Sequence, residues 1–298
     1  MYNVLANVSE RLKMYNKFEK DKKGYKKPLH KQGSQNRRFD KKPSAKYENE
    51  ERQALENGSV PGRNAVRELL KSGRAIEKIY VRSGEREGSI TLLAAMALER
   101  GIPLIEVDKN KLDRLCGYEQ HQGIVAIASE KEYVQVDDIL QIAYDRGEKP
   151  LVVIADNISD PHNLGAIIRC AEGAGAHGII IPKRHSACIT PAVSKASAGA
   201  VEHLAVAKCT NVTDTIKKLK EKGLWIFAAE ADGTDYTKAD YNVPCAIVLG
   251  SEENGVSELV KKNCDFIVSI PMRGQVNSLN VSTAAAVLLY QAIQQRGN

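Results

Sequence analysis

Hydrophobic positions along this 298-residue chain fall into short runs separated by Gly, Pro and charged residues, and the rhythm of those runs changes along it. GRNAVRELLKSG carries Ala65, Val66, Leu69 and Leu70 at helical spacing and stops at Gly73. KIYVRS then reads as a strand, SITLLAAMALERG as a helix ended by Gly101, PLIEVD as a strand, KNKLDRLCG as a short helix and GIVAIAS as a closing strand. This alternation predicts a small α/β sandwich over residues 57–129. Residues 130–149 (EKEYVQVDDILQIAYDRGEK) read as a charged helical linker.

From residue 150 the runs become more apolar. PLVVIADN suits a strand buried on both faces, and GIIIP, HLAVA, LWIFAAE, CAIVLGSE and DFIVSIP repeat the type. Helices are expected near 163–174, near 190–198, in NVTDTIKKLKEKG, in GVSELVKKN, and from about Ser278 to the C-terminus. The second unit, 150–298, is therefore expected to be an α/β domain with a mostly parallel, doubly wound sheet. Ligands of such sheets bind beyond the carboxyl ends of the strands.

Charge adds an asymmetry. The net charge is +6, yet residues 1–55 carry fifteen Lys and Arg against seven Asp and Glu, so the basic character resides in the N-terminal stretch. From Lys13 to Arg52 branched apolar residues are almost absent, and a disordered basic tail is expected over residues 1–56. Its Tyr15, Tyr25, Phe39 and Tyr47 fit an arm that meets polyanions and stacks on bases; a solubilising leader is the plain alternative. No apolar run approaches the ~18 residues of a membrane helix, and the first thirty residues lack a secretory apolar segment, so a cytoplasmic protein without a membrane partner is expected. The six cysteines form no CxxC pair and have no nearby His at ligand spacing; reduced thiols and no metal are expected.

The candidate chemistry sits after three strands of the second unit, in DNISDPHNLGAIIRCAEGAG, LGSEENG and IPMRGQVNSLNVSTAAAVLLY. GAGAHG, residues 173–178, matches the dinucleotide pattern G-x-G-x-x-G but follows a helix and precedes strand GIIIP, so its glycines read as helix-stop and turn residues. In the first loop Asn163 stands where a helix N-cap is expected and Arg169 lies six positions on, flanked by Ile167, Ile168, Cys170 and Ala171. Read alone, the two fit a cap and a solvated helix charge. Glu252 in the second loop and Ser278 and Asn280 in the third fit a solvated turn and a helix entrance equally well. Their weight comes from three such loops converging on one sheet edge.

Together the three segments resemble the signature motifs of the SpoU/TrmH family, in the SPOUT superfamily, of RNA ribose 2′-O-methyltransferases: N-x-S-D-P-x-N-x-G-x-I-x-R, L-G-S-E-x-x-G and I-P-M-x-G-x-V-x-S-L-N-V-S, in order, within 150–298. Upstream, GRNAVRELL and HQGIVA resemble the two ends of the substrate-binding domain, similar to ribosomal protein L30e, of members that methylate a guanosine of large-subunit ribosomal RNA. The resemblance implies a trefoil-knotted sheet, S-adenosylmethionine as methyl donor, a homodimer with an active site completed across its interface, and RNA, ribosomal above all, as partner. It places donor contacts at Leu249, Gly250, Ile270, Met272, Ser278 and Leu279, and catalytic roles at Asn163, Arg169, Glu252, Ser278 and Asn280. Arginine stays protonated in proteins, so Arg169 is expected to stabilise a developing alkoxide and anchor phosphate rather than act as a base. Arg63, Asn64, Arg67 and Lys71 are the candidate RNA contacts of the small domain, with a solvated helix face as the alternative. A methyltransferase for transfer RNA and a catalytically silent RNA-binding assembly factor are the rival readings.

Overall fold

The structure is a computed structural model that describes residues 58–84 and 88–297. The expected disordered tail of residues 1–56, with Tyr15, Tyr25, Phe39 and Tyr47, lies outside the described residues.

The small unit is a four-stranded sheet of order β1-β4-β2-β3, with β1 Ser59–Pro61, β2 Ile76–Arg82, β3 Leu104–Val107 and β4 Ile124–Ala128. β4 pairs antiparallel with β1 and β2, whereas β2 and β3 run parallel. Helices α1 Arg63–Ser72 and α2 Gly88–Glu99 cover one face, where Val66, Leu69 and Leu93 meet Ile79, Val81 and Ile124. Helix α3 Lys109–Leu115 covers the other, packing Leu112 and Leu115 on Tyr80, Val125 and Ile127. Alternate strand residues thus serve opposite layers, as the pleat requires. The three-residue β1, too short and proline-ended to carry a period-2 pattern, had no sequence signal.

The large sheet is wholly parallel, in the order β10-β8-β9-β5-β6-β7. Its strands are β5 Leu151–Ala155, β6 Gly178–Pro182, β7 Ala205–Cys209, β8 Trp225–Asp235, β9 Cys245–Leu249 and β10 Phe266–Ser269. Helices α5 Pro161–Gly173, α6 Pro191–Ala196 and α9 Val281–Arg296 pack on the face presented by Val153, Ala155 and Ile247. Helices α4 Val136–Asp145, α7 Val212–Glu221 and α8 Glu258–Asn263 lie on the face presented by Val152, Ile154 and Val248. The chain winds from β5 outward to β7, then crosses to β8, and β9 inserts between β8 and β5. The strand order reverses beside β5 and β9, which is where a doubly wound sheet opens a crevice.

Three local departures from the sequence reading have physical causes. The segment read as a charged helical linker does hold a helix, α4, but that helix is packed into the large unit, burying Ile139, Leu140 and Ala143 there; Ile139 sits so close to Gly178 that no side chain would fit there. Helix α5 begins two residues earlier than expected: Asp160, not Asn163, is its N-cap, accepting from the His162 N–H at 2.9 Å, and Pro161 takes the first helical position, where a missing N–H costs nothing. Helix α9 begins at Val281 with Asn280 as its cap, leaving Ser278 in the preceding loop.

The two units are locked together. Gly199 approaches the backbone of Ala65 on α1, Arg74 pairs with the buried carboxylate of Glu202 at 2.8 Å and donates to the Ser129 carbonyl, and His203 meets Glu68 at 3.0 Å.

Candidate functional site

The carboxyl ends of β5 and β9 deliver two segments that fold against each other. Asp156, directly after β5, is buried; its backbone N–H donates to Leu249 at 2.8 Å, and its carboxylate accepts from Ser257 N–H at 2.8 Å and from the Asn157 amide at 3.2 Å. After β9 the chain doubles back in a tight loop, closed by paired backbone hydrogen bonds between Ser251 and Gly255 at 3.0 and 2.9 Å. Gly255 takes φ +64°, and a Cβ at Gly250 would run into the Gly255 backbone. Glu230, at the end of the regular part of β8, accepts from Val256 N–H at 2.5 Å and fixes the far side of the loop.

Three side chains, one from each motif loop, join at this edge. The amide nitrogen of Asn280 donates to Asn163 Oδ1 at 3.0 Å and to Glu252 Oε1 at 2.5 Å. Its amide oxygen accepts from the Ser282 N–H at 2.9 Å and hydroxyl at 2.6 Å, so one residue caps α9 and ties the loops together. Asn163 is buried in the first turn of α5, held there because Gly165 lets the helix rest against Ala196 and the Val193 carbonyl of α6.

Beside this network lies a cavity of about 460 Å³, of the size that holds small molecules. Leu249, Gly250, Ile270, Met272, Ser278 and Leu279 all line it, as do Glu252 and Asn280, together with Glu230 and Asn254. A second cavity of about 460 Å³ shares Ser251, Glu252, Asn254 and Val281 with the first and adds Asn163, Asp160 and His185. The loop from residue 271 to 280 is exposed throughout, with Met272 and Leu279 each 37% exposed and Val276 66%. That is apolar surface with no cover among the described residues.

Arg169 stands apart. It lies on the exposed side of α5 and lines neither cavity, because six residues along a helix turn a side chain well away from the face that carries Asn163. Among the small-domain candidates, Arg63 donates to the Gln122 carbonyl at 3.1 Å and to the Ser89 hydroxyl at 3.0 Å. Lys71 pairs with Glu68 at 2.9 Å, Arg67 is half-buried, and Asn64 is exposed. Asp156 and Glu230 were absent from the sequence reading. The signal for both was an acidic residue directly after an apolar strand, the same signal that drew attention to Glu252.

The SpoU rRNA Methylase family matches residues 150–290, and the family described as RNA 2′-O ribose methyltransferase substrate binding matches residues 59–134. YacO of Bacillus subtilis (strain 168), named as a TrmH family tRNA/rRNA methyltransferase, is 42% identical over 226 residues, covering 76% of this chain and 90% of that protein. The chain belongs to the SpoU/TrmH family of RNA methyltransferases. The fold agrees: a crystal structure of an RNA 2′-O ribose methyltransferase superposes with a TM-score of 0.71 at 25% identity, over 86% of this chain and 97% of that one. A second family member, AviRb from Streptomyces viridochromogenes in complex with AdoMet, superposes with a TM-score of 0.69 at 24% identity, over 85% of this chain and 99% of that one. The three loops whose side chains meet at Asn280 are the segments in which the family motifs lie.

Proposed function

We propose that the chain transfers a methyl group from S-adenosylmethionine to a ribose 2′-hydroxyl of structured RNA, a guanosine of large-subunit ribosomal RNA being the favoured target, as a cytoplasmic homodimer whose catalytic sheet is threaded through a trefoil knot. The observation that carries this reading is the junction of Asn163, Glu252 and Asn280 on the rim of the cavity. The ribosomal assignment rests on the substrate-binding unit at 59–134, while the relatives' names span both tRNA and rRNA, so a transfer-RNA target is the second reading.

The cavity suits the donor in its chemistry. Leu249, Ile270, Met272 and Leu279 offer apolar and thioether surface to a purine and an aliphatic chain, and Gly250 lines the cavity while its missing Cβ lets the Gly255 backbone fold close against it. When bound, S-adenosylmethionine supplies an electrophilic methyl group on a sulfonium, and no metal is needed. The protein's own residues then have two tasks. Asn163, Ser278 and Asn280 orient the ribose so that its 2′-oxygen lies in line with the methyl, a placement worth several kcal/mol. A sugar hydroxyl is a weak nucleophile at neutral pH, so its developing negative charge needs a fixed cation. Arg169 is that cation, and because an arginine that stays protonated cannot take the hydroxyl proton, the proton leaves to an RNA phosphate or to water as the methyl–oxygen bond forms. The position of Arg169 outside both cavities of one chain fits a site that the partner protomer completes, with the exposed loop at 271–280 covered by donor and partner.

The test is transfer of tritiated methyl from S-adenosylmethionine to deproteinised ribosomal RNA from cells lacking the protein, followed by mapping of 2′-O-methyl groups. One methylated ribose in large-subunit RNA is expected, and none in Arg169→Ala, which keeps its affinity for the donor. Label confined to transfer RNA would redirect the assignment, and near-normal turnover by Arg169→Ala would remove that residue from the chemistry.

A further inference from the structure

A cavity of about 550 Å³ lies on the small unit, walled by the turn from Tyr118 to Gly123 and by the ends of β2 and α3. The turn is rigid by construction. Gly117, Tyr118, Gln122 and Gly123 all hold positive φ, between 52° and 86°. The buried His121 pins the turn from both ring nitrogens: Nδ1 accepts from the Gly123 N–H at 2.9 Å, and Nε2, carrying the proton, donates to Asp113 at 3.1 Å. Tyr118 N–H donates to the Asp113 carbonyl at 2.7 Å, and its side chain is left 77% exposed at the cavity rim. A large aromatic ring held in left-handed backbone and mostly exposed contributes little to stability.

The charges around it sort into used and unused. Asp113 is matched by His121, and Glu119 faces Lys195. Arg82 and Lys109 also line the cavity, are exposed, and make no side-chain hydrogen bond or ion pair among the described residues. A stacking ring beside two uncommitted cations is the arrangement that receives a nucleotide by its π-face and phosphates, without reading its hydrogen-bonding edge.

We propose that this cavity binds one unpaired nucleotide of the substrate RNA, its base stacked on Tyr118 and its flanking phosphates on Arg82 and Lys109, as an anchor separate from the methyl-transfer cavity. The proposal rests on the methyltransferase reading and specifies how the small unit grips RNA. It also explains why the turn is bound to the catalytic unit: Lys195 on α6 donates to the Gln120 carbonyl at 2.5 Å, and α6 packs on the helix that carries Asn163. The anchor thereby sets a fixed distance between the held nucleotide and the methylated ribose.

The experiment is filter binding of deproteinised total ribosomal RNA to the full chain over a range of salt, with donor affinity measured in parallel as a control for folding. Tyr118→Ala is expected to weaken RNA binding about tenfold with an unchanged salt slope, and Tyr118→Phe to restore it. Arg82→Ala and Lys109→Ala are each expected to lower the slope by about one. Donor affinity stays at the wild-type value in all four. Tyr118→Ala binding RNA as tightly as wild type overturns the anchor while leaving the methyltransferase reading standing, and a wild-type chain that binds no ribosomal RNA overturns both.

Discussion

Asn280 does the work of three residues with one amide. It caps α9, reaches Asn163 on α5 and reaches Glu252 beyond β9, so a single truncation separates three segments that lie far apart in sequence. Asn280→Ala should cost about 1 kcal/mol of stability through the lost cap, measurable by urea unfolding, while methyl transfer falls far more steeply because the loops lose their common partner. A different residue sets acid sensitivity. His177 is buried, accepts from Leu151 N–H at 3.0 Å through Nδ1, and meets Glu148 at 2.9 Å through Nε2. Burial lowers its pKa below the usual 6.5, and the Glu148 contact only partly opposes this. In the unfolded chain the imidazole takes up its proton near 6.5, so below that pH unfolding is accompanied by proton uptake and stability falls as pH falls. Urea midpoints should therefore drop between pH 7 and pH 5.5, and less so in His177→Gln; an equal drop in that variant would assign the sensitivity elsewhere, His121 being the next buried imidazole with a lowered pKa.

At the level of elements, the site depends on a loop that is shaped before any ligand arrives. Glu230 and Asp156 hold the residues that follow Gly255 from two sides, and the Ser251–Gly255 pairing closes the loop between them. Glu230→Ala should therefore weaken donor binding about tenfold by calorimetry, whereas Glu230→Gln, which keeps an acceptor for Val256 N–H, should bind close to normally. The strands that carry these loops could be read from the sequence, because residues buried on both faces leave unbroken apolar runs such as LVVIA and CAIVL. The entrances to helices were less legible. Asp160 and Asn163 are both good caps on composition, and only Pro161 between them decides the matter. The packing of α4 was hidden by its charged outer face, and the pinning role of Glu230 by the distance of its partner, 26 residues away in sequence. The motif residues of the third loop were found because polar residues clustered after an apolar strand, and the same reasoning passed over Tyr118, which sits in a turn with no periodic signal at all.

On the scale of the whole molecule, two α/β units are coupled through a seam of buried and half-buried charge. Arg74 lies between Glu202 and the Ser129 carbonyl, Lys131 donates to the Glu202 carbonyl at 3.3 Å, and Glu68 is shared by Lys71 and His203. Polar groups with fixed partners define one docking geometry, which a molecule needs if one unit holds RNA while the other modifies it. The exposed loop at 271–280 and the position of Arg169 mark the surface where a second copy is proposed to dock. All of this depends on the cavity between β9 and α9 being the place where the methyl donor sits. Calorimetric titration of S-adenosylmethionine into the full chain tests that most directly. One site per chain is predicted, abolished in Gly250→Val, where the new side chain would collide with the Gly255 backbone and displace the loop that lines the cavity, and preserved in Arg169→Ala; absence of binding by the wild-type chain, or undiminished binding by Gly250→Val, would contradict it.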